Sequence, residues 1–143
     1  PFPYTTLLRS SMGQLGLSIL LRSWDATMPE SAWEGWDGDR YVALRCQGTR
    51  EFAWLTTWDS EADAQEFADA YARIAAKVAV NAQLASIPVT ARSGRDVLLY
   101  TPRVERFARE LAASAKRHRV RTLEEVFADS SITMTSVGAC RGG

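Results

Sequence analysis

Two short stretches concentrate the side chains that could do chemistry. GWDGDRY runs from Gly35 to Tyr41, and WDSEADAQEF from Trp58 to Phe67. Between them they carry the carboxylates of Asp37, Asp39, Asp59 and Asp63, with Arg40 alongside. Clustered carboxylates are ligands for a hard cation, and two of them facing each other across a cleft could serve as acid and base. Arg40 already answers the negative charge, no EF-hand spacing is present, and nothing fixes two carboxyl groups across a cleft. Asp37 and Gly38 suit a tight turn into a strand. A hairpin that pairs the start of its first strand with the end of its second would bring Arg40 to Trp58 and Asp59. The residues Trp36, Asp37, Gly38, Asp39, Arg40, Trp58, Asp59 and Asp63 are therefore expected to form a structural corner, tied by an Arg40 ion pair. No catalytic, cofactor or metal site is assigned.

A second constellation is basic. From Arg103 to Arg121 there are seven Arg or Lys against Glu105 and Glu110. His118 is the single histidine, so a Ser-His-Asp or Cys-His arrangement could use no other. Cations at a helix C-terminus are favoured by the macrodipole, which accounts for the cluster without catalysis. Arg117, His118, Arg119 and Arg121 form the alternative, an anion-binding end for phosphate or anionic lipid. Interleaved base-stacking aromatics and a Gly-rich phosphate loop are missing, which argues against nucleic acid. Cys46 and Cys140 read as a buried apolar cysteine and one in a loose tail; a disulfide between them is the open alternative, though their spacing does not signal it.

These residues need elements to hold them. Leu17, Leu20, Leu21 and Trp24 recur at helical spacing, so Ser11 to Trp24 is expected to be a helix. Thr27 and Glu30 have capping-box spacing around Pro29, giving a short turn through Trp33. Asp39 to Gln47 and Glu51 to Trp58 alternate around Gly48 as a hairpin, with Phe52, Trp54, Thr56 and Trp58 on one face. Phe67, Tyr71, Ile74 and Val78 form the stripe of a covering helix that Asp59 or Ser60 can cap. A second hairpin follows, Ile87 to Ala91 and Asp96 to Thr101. Thr101 and Pro102 then open a helix that buries Val104, Phe107, Ala108, Leu111 and Ala115. A short helix at Thr122 to Phe127 and a strand at Ser131 to Val137 complete the reading.

The fold class is α+β: a mainly antiparallel sheet of two hairpins covered by helices, with an N-terminal helical segment. The 143 residues suit one domain, and 46% hydrophobic with 24% charged residues describes a globular chain. The formal charge is zero, but it sums an acidic region and a basic one. Eleven Asp or Glu lie between Trp24 and Asp69. No stretch reaches the roughly 18 apolar residues of a membrane span. The opening PFPYTTLLRS resembles translated adapter sequence of environmental DNA. Residues 1–10 are thus expected to be a non-native leader, the alternative being an extended arm packed on the domain. Residues 11–128 are expected to be the domain and 129–143 a loose tail.

The GQLGLSILLRSW helix, GWDGDRY, the hairpin and WDSEADAQEF together resemble a domain of uncharacterised bacterial and archaeal proteins, including surface proteins and lipoproteins. In that group it follows a metallopeptidase-like region. The resemblance covers Met12 to about Tyr71 and implies that the corner residues, with Gly35, Ala64 and Phe67, are signature positions. It implies no catalytic role. The expected function is that of a non-catalytic C-terminal accessory domain of a longer, exported or surface protein, acting in packing or partner binding. The alternative is a small ferredoxin-like enzyme or ligand binder, which a deep apolar pocket between sheet and helices would favour.

Overall fold

The computed structural model describes residues 4–117. Five strands form one sheet in the order β1-β2-β3-β5-β4: β1 (Tyr4–Ser10), β2 (Trp36–Cys46), β3 (Thr49–Trp58), β4 (Val89–Ser93) and β5 (Asp96–Tyr100). Every neighbouring pair is antiparallel. Three α-helices, α1 (Gly13–Trp24), α2 (Glu61–Asn81) and α3 (Glu105–Arg117), complete an α+β fold. A ferredoxin-like arrangement interleaves split β-α-β units; here β1 pairs directly with β2 across α1, and that topology is excluded. Residues 4–10, set apart in the sequence as a leader, are the edge strand of the sheet, so their backbone belongs to the domain.

Helices cover both faces. On one face, Phe52, Trp54 and Trp58 of β3 pack with Leu17 and Leu21 of α1 and with Phe67, Tyr71 and Ile74 of α2. On the other, Val42, Leu44 and Cys46 of β2 join Ala53, Leu55, Leu98 and Tyr100 under Val104, Phe107, Ala108 and Leu111. The period-2 alternation of the strands sorts these two sets. Because β3 is central, both of its faces are covered and its burial is almost continuous, Glu51 and Thr56 included. The aromatic face is locked by ring contacts: Trp58 stacks on Phe67 at 4.8 Å, and Trp54 meets Phe67 edge-on at 5.7 Å.

Three local details differ from the sequence reading. Thr27 does not cap the short helix at Glu30–Ala32; its N–H and hydroxyl both donate to Asp25, at 2.9 and 2.6 Å. Thr101 begins the turn at Pro102, but its hydroxyl accepts from the Phe52 N–H at 3.2 Å, stitching β3 to the chain after β5. Cys46 is fully buried and is disulfide-bonded rather than a free apolar thiol. Cys140, the short helix at Thr122 to Phe127, the strand at Ser131 to Val137 and the tail 129–143 lie outside the described residues.

The junction between β2 and α2 turns on Gly35. Its φ of +76° is in the left-handed region, and a Cβ there would collide with the Asp63 carboxylate. Its carbonyl accepts the Asp59 N–H at 2.7 Å, joining the start of β2 to the entry of α2. Gly35→Ala is expected to cost more than about 2 kcal/mol in urea unfolding, through backbone strain and the displaced carboxylate. Gly48→Ala should cost less, since no atom lies within 4 Å of its missing Cβ.

Candidate functional site

The residues expected to form one corner fall into separate arrangements, and none of them is a cation cage. Ser60 caps α2, accepting the Asp63 N–H at 3.0 Å and donating its hydroxyl to Asp63 at 2.7 Å. Asp37 is the extra residue of a β-bulge between Trp36 and Gly38, and it points to solvent. Trp36 is half-buried against the aromatic core, not a free stacking platform.

Asp39 turns to the aromatic face of the sheet, the side of Trp54 and Trp58. Nearly fully buried, it reaches the N-terminus of α1 and takes four hydrogen bonds. One carboxylate oxygen accepts from the Ser11 hydroxyl at 2.9 Å and the Gly13 N–H at 3.0 Å. The other accepts from the Met12 N–H at 2.7 Å and the Trp54 indole N–H at 2.9 Å. Met12, at the N-cap position, offers no side-chain cap, and Asp39 supplies it from 27 residues away. The positive end of the helix dipole favours a carboxylate there.

The expected tie between Arg40 and Asp59 is replaced by backbone. The hairpin register sets Arg40 opposite Leu55, and strand alternation turns it to the α3 face with Val42 and Leu44. Asp59 is held instead through its N–H on Gly35. The Asp39 carboxylate thus serves a helix N-terminus and that of Asp63 a cap, while Asp37 is exposed at a bulge and Asp59 is held through its backbone. Among the described residues no group of three or more His, Cys, Asp or Glu side chains could hold a metal ion. Of the proposed anion site, Arg117 is the last described residue of α3; His118, Arg119 and Arg121 lie outside the described residues.

One concave feature sits between the sheet and the first two helices. It is a cavity of about 160 Å³ whose floor is formed by Phe52, Trp54 and Tyr71, all buried. Leu20 and Trp24 of α1, with Val78 and Ala82 at the end of α2, form a half-buried rim. Leu84 closes one side. Gln83 takes a left-handed φ of 55°, and Leu84 then bridges to Arg50 beside β3. Tyr41 closes another, stacked on Phe52 at 5.7 Å and edge-on to Trp54 at 6.1 Å. Burial pushes the Tyr41 phenol above its ordinary range. It pushes Tyr71 further up, and nearby Tyr41 adds to that shift. Both are neutral donors at pH 7. Trp24 and Tyr71 belong to apolar stripes in the sequence, and the gap between those stripes arises only from how the elements pack.

Asp39→Asn should lower stability by about 3 kcal/mol or more, because two of the four N–H and O–H donors lose their acceptor. Asp37→Asn, at an exposed bulge, should stay within about 0.5 kcal/mol in the same denaturation experiment. For Tyr71, the unfolded chain loses the phenolic proton near pH 10 while the folded chain keeps it, so the folded state binds more protons above that pH. Stability should fall as pH rises beyond about 10, and the fall should be shallower in Tyr71→Phe when thermal midpoints are compared.

The family model for DUF8575, a domain of unknown function, matches residues 5–128. No curated protein and no solved structure matches the chain. The match begins inside β1 and so includes most of the edge strand.

Proposed function

As the chain belongs to the DUF8575 family, we propose that it is a non-catalytic accessory domain of a longer, exported protein, working by packing against or binding a partner. The fate of Asp39 is the observation that carries this reading. The most buried carboxylate of the signature is consumed by four hydrogen bonds that build the fold, and none of its acceptor capacity is turned to a cleft. Asp63 is likewise engaged by its cap. A general acid or base needs a free proton-transfer path to a substrate, which Asp39, enclosed by its four donors, lacks.

The disulfide at Cys46 supports an oxidising compartment, since such bonds persist mainly outside the reducing cytosol. No helix among the described residues is long and apolar enough to cross a membrane. By the resemblance of its two motifs, the region preceding the domain would be metallopeptidase-like. The reading is tested by cloning the reading frame that contains this chain and expressing the longer product with and without residues 4–117. A rise of several degrees in the midpoint of the neighbouring domain when this one is attached is expected. Identical midpoints, or hydrolytic activity that resides in the isolated domain and disappears in Asp39→Asn without unfolding, would overturn it.

A second reading, that the domain binds a small molecule, is favoured by the cavity between sheet and helices.

A further inference from the structure

We propose that this cavity is a binding site for an uncharged single-ring molecule carrying one oxygen acceptor, of the size of a simple phenol or aryl ether; the proposal rests on the second reading above. Size sets the first limit. A volume of about 160 Å³ is close to the roughly 150 Å³ apolar cavity that accepts benzene, and below the roughly 300 Å³ at which larger ligand sites begin.

Lining chemistry sets the second. Every lining side chain is apolar or aromatic, none is charged at neutral pH, and the floor is built of three aromatic faces. An ionised ligand would have no counter-charge and would keep its desolvation cost, whereas a ring finds edge and face contacts with Trp24, Tyr41 and Trp54.

Tyr71 sets the third. Its ring is 2% exposed and packs on Trp54 at 6.0 Å, and it lines the floor. Its phenol has no hydrogen-bond partner among the described residues, and burial keeps it protonated. The Tyr71 oxygen is not one of the fully enclosed polar atoms without a partner, so solvent reaches it and it can donate to water or to a ligand acceptor. A ring oxygen placed over Tyr71 supplies that acceptor, and the half-buried rim of Leu20, Trp24 and Ala82 leaves a way in.

The test is an NMR titration of the whole chain with p-cresol and with toluene, following the Trp24 indole N–H. A saturable shift with p-cresol is expected, with a Kd of about 0.1–1 mM for so small a ligand. Ala82→Phe should abolish it by filling the rim while leaving the thermal midpoint within a few degrees; Val78→Phe serves in its place if that variant unfolds. Tyr71→Phe should weaken p-cresol by about fivefold and leave toluene unchanged, the size expected for one neutral hydrogen bond. No saturation with p-cresol up to about 10 mM, a shift that survives both filling variants, or an equal loss for the two rings in Tyr71→Phe would overturn the proposal. 1-Octanol is the discriminating arm. Its saturable binding, lost in Ala82→Phe, in the absence of ring binding would defeat the ring proposal and leave the second reading standing. Failure of all three probes would end both.

Discussion

A carboxylate buried beneath a helix end governs the aromatic side of this fold. Asp39 leaves β2 toward α1, and placing it out of water would cost several kcal/mol without partners. Its four donors come from three places in the chain: the residues entering α1, the helix backbone itself and the indole of Trp54 on β3. One group therefore fixes the start of α1, the rotamer of the central tryptophan and the spacing between them. Trp54 in turn touches Tyr41, Phe67 and Tyr71, so the position of α2 follows from the same contact. An aspartate is suited to this because its two oxygens can accept from opposite sides at once.

The same arrangement explains why a gap persists beside a well-packed core. Asp39 holds α1 by its first turn, and the cavity lies at the other end of the helix, beside the end of α2. There the side chains are Leu20, Trp24, Val78 and Ala82, too few and partly too small to fill the wedge. Leu84, carried back by the left-handed Gln83, closes one side without closing the mouth. A small alanine at the rim is the residue that leaves the space open.

Much of the architecture was legible because the periodicities were strong. Phe67, Tyr71, Ile74 and Val78 could only be a helical stripe, and the alternation through Phe52, Trp54 and Trp58 could only be a strand that needed a cover. The antiparallel hairpins and the Ser60 cap follow from local chemistry alone. What was not legible depends on long-range geometry. Asp39 read as one of four corner carboxylates because its partners at Ser11 to Gly13 are 26 to 28 residues away, and no spacing rule links them. Arg40 was assigned to Asp59 by proximity along the hairpin, but strand alternation turns it to the other face. The edge strand was obscured by its unusual composition, and the cavity is a property of how three elements fail to meet, which no stripe encodes.

The position of β3 has a consequence for how the molecule comes apart. Its odd and even side chains belong to different cores, one under α1 and α2, the other under α3. Neither helical layer can detach without exposing a face of the strand that the other layer still holds, and Thr101 fastens that strand again at the end of β5. The two cores are thus not two foldons but one cooperative unit. The amides of β3 belong to the last structure to open, and partial unfolding is confined to the margins of the sheet.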